Sequence, residues 1–135
     1  MVSMEHEGRV FPRLRLLPDR ELANQYWAAL GVDSPPQALP PTYLIFLRAE
    51  RLGIDLFKEL GIPRQQALHG GQRYEWFVPV GPDDALDVDI RVERVAQKQS
   101  KSGPLSFVDV SFDYRLASSG ALAVREITRL IKRGA

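Results

Sequence analysis

Any chemistry in this chain has to come from few groups. It has two histidines, His6 and His69, and no cysteine, which excludes disulfides, thiolate metal sites and cysteine nucleophiles. The histidines are far apart, and no His or carboxylate cluster has ligand spacing on a helix, so neither a metal nor a cofactor is expected. The most unusual polar run is Leu68-His69-Gly70-Gly71-Gln72. It lacks the Lys-Ser/Thr of a phosphate loop and any dinucleotide fingerprint. No Gly-x-Ser-x-Gly nucleophile elbow occurs. Two readings of the run stand. Either His69 or Gln72 reaches a ligand at the mouth of a sheet, or the glycines make a tight bend into a strand and the histidine is structural.

Asp83 and Asp84 have the types of a general acid–base pair, but after Gly81-Pro82 they read better as turn residues. Lys98, Lys101, Lys132 and Arg133 are either an anion site or solvated hairpin ends. Trp27 and Trp76 read as core. No complete catalytic constellation emerges, so no catalytic residue is assigned.

The elements that must position these groups are legible in turn. Phe11 to Leu17 reads as a short strand closed by Pro18. A helix follows, capped by Asp19, with Leu22, Ala23, Tyr26, Trp27 and Leu30 on one face and Gly31 as its stop. Val32 to Pro41 is a proline-rich connector. From Thr42 to Leu60, Ile45, Ala49, Leu52, Leu56 and Leu60 recur at helical steps, with Gly53 a point of kinking and Gly61-Pro63 the end.

The period then changes. Arg73 to Val80 is rich in aromatic and β-branched residues. Leu86, Val88, Ile90 and Val92 alternate with charges, as do Val108, Val110, Phe112 and Tyr114. Turns fall at Gly81 to Asp84, Ser100 to Pro104 and Ser118 to Gly120. Ala121 to Lys132 fits an amphipathic helix at least as well as a strand. The result is an α+β domain, an antiparallel sheet covered by a long helix.

The totals bound the rest. At 135 residues, 44% hydrophobic and 26% charged, the chain fits one domain, with residues 1–10 expected as a flexible tail and 11–135 as the domain. A net charge of +1 gives no nucleic-acid footprint. No run approaches the ~20 apolar residues of a membrane span. The N-terminus shows no apolar signal core, so a cytoplasmic location is expected.

In this order and spacing, four stretches resemble the hot-dog-fold MaoC-like dehydratases, specifically their N-terminal half-domain type. The likeness runs from about Phe11 to Lys132. Leu22 to Gly31 resembles the helix before the family's active-site loop, and Leu39-Pro40-Pro41-Thr42 its APPTF segment. Leu68 to Tyr74 resembles its LHGEQRF run, with Gly71 where glutamate is usual. Pro79 to Leu86 resembles P-x-x-x-G-D-x-L, with Asp83 in place of the glycine.

The resemblance implies a long antiparallel sheet wrapped around a central helix, with the last segment a strand. It implies acyl thioesters of coenzyme A or acyl carrier protein as substrates, lying beside the central helix, whose positive end helps polarise the thioester carbonyl. Active members carry Gly-Asp-x-Asn-Pro-x-His. The matching stretch here is Gly31-Val32-Asp33-Ser34-Pro35-Pro36-Gln37, with valine and glutamine where the Asp and His belong.

The expectation is therefore a non-catalytic subunit that homodimerises in isolation and forms a heteromer with a catalytic MaoC-like partner. Thr42, His69 and Gln72 are its expected pocket contacts. The alternatives are a stand-alone thioesterase, for which Glu50 and Asp55 are carboxylates of the right type, and a non-enzymatic acyl-binding module.

Overall fold

The structure, a computed structural model, describes residues 1–34, 36, 38–40 and 53–134. Alternation of apolar and charged residues builds its sheet. In β3 (Leu86–Ser100), Leu86, Val88, Ile90 and Val92 turn to one face and are fully buried, while Asp87, Asp89 and Arg91 turn to the other. In β4 (Gly103–Leu116), Ser106, Val108, Val110, Phe112 and Tyr114 fill the same inner face. The last segment is a strand, β5 (Leu122–Arg133). β1 (Leu14–Leu16) and β2 (Ala67–Trp76) complete the sheet.

Among the described residues the order is β1-β3-β4-β5-β2, with every neighbouring pair antiparallel. β1 is shorter than the Phe11–Leu17 strand expected, because Pro12 and Pro18 at its flanks have no N–H to give the ladder. β2 starts earlier than Arg73 and stops at Trp76, short of Val80.

α1 (Arg20–Ala29) begins where Asp19 Oδ1 accepts the Leu22 amide at 3.1 Å, and ends at Gly31, whose φ of 83° suits only glycine well. Its Ala23 is buried, whereas Leu30 is 57% exposed and does not join the expected apolar face. The long helix expected over Thr42 to Leu60 is not continuous. Gly53, at φ 71°, Ile54 and Asp55 are not helical, and Asp55 caps a separate short helix, α2 (Leu56–Glu59). Residues 42–52 of that expectation lie outside the described residues. Ala23, Leu39, Leu56, Leu60 and Ile62 join the inner face of the sheet in one apolar cluster.

Residues 1–10, expected as a tail, make specific contacts with the sheet. Val2 is 2% exposed and its amide donates to Ser106 Oγ at 3.1 Å. Gly8 and Arg9 exchange backbone hydrogen bonds with Val92, and Val10 bridges to Arg91. Arg9 also pairs with Glu59 at 2.6 Å and lies over the Phe11 ring. The segment offers one apolar side chain and its backbone, and the sheet accepts both.

Candidate functional site

The inner face of the sheet is mostly apolar, with a hydrogen-bonded polar cluster near its middle. Glu126 on β5 is fully buried. Its Oε1 accepts the Tyr114 hydroxyl at 2.8 Å, and its Oε2 accepts the Gln72 amide at 3.0 Å and the Thr128 hydroxyl. Strand register assembles the group: Tyr74 lies opposite Glu126, Gln72 opposite Thr128, and Tyr114 opposite Val124. A carboxylate so placed has three hydrogen-bond donors from three strands, which offset much of its desolvation cost. Reading the sequence did not single out Glu126. The available signal was its place two residues from both Val124 and Thr128, on the inner face of a strand.

Gln72, an expected pocket contact, is thus half-buried and faces this cluster. His69, the second, lies exposed on β2 and makes no hydrogen bond or ion pair among the described residues. Thr42, the third, lies outside them. The glycines between His69 and Gln72 form a bulge in the β2–β5 pairing. Gly71 has φ 127°, and a Cβ on Gly70 would stand 2.7 Å from Arg129 Cγ. Both glycines have a backbone role, but as a bulge inside β2, which starts at Ala67, rather than as the bend into the strand that was expected.

The loop matching the hydratase motif is held at both ends. Trp27 is half-buried, and its Nε1 donates to the Ala38 carbonyl at 3.1 Å, while the Leu39 amide donates to the Val80 carbonyl at 2.8 Å. Between them Val32 is half-buried, Asp33 and Ser34 are exposed, and Gln37 lies outside the described residues. Neither histidine is hydrogen-bonded to a carboxylate among the described residues. His6 Nδ1 is instead 3.5 Å from Arg9.

Asp83 and Asp84 do not form an acid–base pair. Asp84 Oδ2 accepts the Gly81 amide at 2.7 Å within its own turn. Asp83 pairs with Arg20 of α1, whose hydrogen bond and charge hold its carboxyl below the usual carboxylate range. Asp55 is occupied as the α2 cap and lies 3.7 Å from Arg64. The lysine cluster divides as well: Lys132 is buried on the inner face, whereas Lys98 and Lys101 are exposed. No group of three His, Asp or Glu able to hold a metal occurs among the described residues. Nor does any described helix have the length and apolarity to cross a membrane.

β2 is an edge strand that exposes large apolar side chains alongside Arg73 and Glu75. Trp76, expected as core, is 40% exposed, Phe77 is 52% and Leu68 is 42%. Trp76 also walls an open groove of about 270 Å³ with Ala38, Leu39, Pro79 and Val80. Trp76 falls at the end of an edge strand that has no further neighbouring strand among the described residues.

The strand order and the apolar face gathered over α2 and the connector define a hot-dog fold, and solved structures agree. The chain is similar to a subunit of the HadBC (3R)-hydroxyacyl-ACP dehydratase complex from Mycobacterium tuberculosis, at 19% identity and TM-score 0.72, covering 93% of this chain and 96% of that one. It is similar to a chain of the ChsH1–ChsH2 complex from the same organism, at 12% identity and TM-score 0.67, covering 91% and 83%. It also resembles the MaoC-like dehydratase from Rhodospirillum rubrum, at 19% identity and TM-score 0.54, covering 93% and 91%. No curated protein matches the sequence. The family pattern described as FAS1-like, dehydratase domain region, matches residues 25–118, and the chain belongs to that family.

Proposed function

We propose that this chain is a non-catalytic subunit of a MaoC-like enoyl-thioester hydratase/(3R)-hydroxyacyl thioester dehydratase, working in the cytoplasm beside a catalytic partner. The observation that carries the proposal is the missing pair. Val32 stands where the water-holding aspartate belongs, and neither His6 nor His69 is joined to a carboxylate among the described residues. Valine has no proton to transfer, so the partner supplies the Asp and His that hold water against the α,β double bond.

This chain contributes walls and contacts to an acyl-CoA or acyl-carrier-protein pocket. Gln72 commits its amide nitrogen to Glu126, which leaves its Oε1 to accept from a ligand. Thr42 and His69 are the other proposed contacts. The open edge of β2, with Leu68, Trp76 and Phe77 exposed, supports pairing with a second hot-dog subunit. In isolation the same edge pairs with its own copy. Two of the similar solved structures are complexes, HadBC and ChsH1–ChsH2.

The test is co-purification with an Asp/His-bearing MaoC-like protein, the one encoded beside this gene if there is one, then hydration assays on crotonyl-CoA and longer enoyl-CoAs. A complex whose activity on longer chains exceeds that of either protein alone is expected. Full activity from the neighbour alone, with no complex, would defeat the proposal.

A stand-alone thioesterase is favoured by one observation, the buried Glu126 carboxylate. Its oxygens already accept three hydrogen bonds, which leaves it poorly placed to activate water. Acyl-CoA hydrolysis by the purified chain alone would restore that reading.

A further inference from the structure

The outer face of the sheet is an array of matched charges, with one unmatched end. Arg13 chelates Asp89 at 2.8 and 2.9 Å, Arg15 meets Asp87 at 2.8 Å, and Arg125 chelates Asp113 at 2.8 and 3.0 Å. Arg129 chelates Asp109 at the same distances as that last pair. Beyond Asp109 the pattern stops. Arg94, Ala96 and Lys98 of β3 face Asp109, Phe107 and Leu105 of β4. Arg94 and Lys98 are exposed and make no ion pair among the described residues.

A register shift between Val92 and Arg94 sets up this end. The extra residue, Glu93, returns Val95 to the inner face opposite Val108 and puts Arg94 on the outer face opposite Asp109. The result is an open groove of about 270 Å³ lined by Arg94, Ala96, Lys98, Phe107, Asp109 and Arg129. Its floor is apolar, Ala96 and the half-buried Phe107 ring, with the Arg129 guanidinium 5.4 Å from the ring centre. Counting its side chains, three cations face one carboxylate.

We propose that this groove binds a phosphate-bearing small molecule, with the phosphate between Arg94 and Lys98 and its attached planar or apolar group on Ala96 and Phe107. Cations beside an apolar floor suit a phosphate ester better than a carboxylate alone: a guanidinium and an ammonium present several donors, and a phosphate offers three oxygens to take them. The groove also exceeds what a lone phosphate fills. The site lies on the outer face, away from Gln72 and Glu126 on the inner face, so it stands whether or not the chain acts with a catalytic partner.

The test titrates the isotope-labelled full chain with adenosine 3′,5′-bisphosphate, inorganic phosphate and adenosine, following backbone amide shifts. Saturable shifts confined to the amides around Arg94 to Lys98 and Phe107 are expected with the bisphosphate. An Arg94→Ala/Lys98→Ala variant should bind about tenfold or more weakly, the scale of losing charge-assisted hydrogen bonds. Lys101→Ala removes one positive charge outside the groove and should bind as the native chain does. Equal affinity for inorganic phosphate would keep the phosphate site and assign it to the free anion instead of a nucleotide. Binding of adenosine alone would overturn the proposal. So would equal weakening by Lys101→Ala, unchanged binding in the double variant, or groove shifts with none of the phosphates.

Discussion

At one edge of the sheet β1 runs for three residues, and at the other β2 runs for ten. β1 is fixed from outside, by Arg13 and Arg15 reaching across to Asp89 and Asp87 in solvent. β2 is fixed from inside, by Gln72 donating to the buried Glu126, and it exposes Leu68 and Trp76 alongside Arg73 and Glu75, with Phe77 just beyond its end. Short, charged edges resist pairing with another chain, and long apolar ones invite it. The difference in length supports the proposed pairing through β2 rather than β1.

The strongest way to break that contrast is to charge the open edge. Trp76→Glu with Phe77→Glu should weaken association with a hot-dog partner, or with its own copy, by at least about a hundredfold, since buried aromatics dominate interface energy. Both side chains are exposed in the isolated chain, so circular dichroism should show the fold intact. Leu17→Glu, beside β1 and 66% exposed, is the matching control and should leave association unchanged. Sedimentation of all three decides it. Equal loss in the control would show that the edges do not differ.

The next effect sharpens how β2 is held. Glu126→Ala leaves the Tyr114 and Thr128 hydroxyls and the Gln72 amide facing a cavity, at a cost of about 3 kcal/mol. For a domain of this size the melting temperature should fall by roughly 10 °C. Amide exchange should rise first along β2. A loss below about 1 kcal/mol would mean that backbone pairing with β5 alone anchors this edge.

The same cluster explains what the sequence concealed. β3 and β4 were legible because the inner positions from Leu86 to Val92 and from Val108 to Tyr114 are all apolar, so the two-residue period is unbroken over those stretches. β5 was ambiguous because Glu126, Thr128 and Lys132 occupy inner positions while Ile127 and Ile131 sit on the outer face. Placing Val, Ile and Leu on both faces mimics a helical period. α1 was legible because Asp19 and Gly31 mark its ends through local chemistry. The docking of Val2 depends on Ser106, 104 residues away, and has no local signature. Of the site, His69 and Gln72 stood out by their unusual run, but nothing local reveals that Gln72 meets Glu126. Trp76 read as core because composition cannot tell an edge strand from a central one.

The smallest effect tests the β1 edge. Asp89 is held below its ordinary pKa of 3.8, first by the hydrogen bond from Arg13, then by the charges of Arg13 and Arg115. A depressed carboxylate stabilises the fold above its unfolded pKa, and that contribution is lost as pH falls through the folded value. Asp89→Asn should therefore destabilise the chain at about pH 7 and converge with the native chain towards about pH 2. The side chain is 37% exposed, so solvent screening limits the loss to under about 1 kcal/mol. Denaturant melts at both pH values measure it. A larger loss would mean that the Arg13 and Arg15 contacts carry β1 as firmly as Glu126 carries β2, and the two edges would then differ in what they expose but not in how strongly they are held.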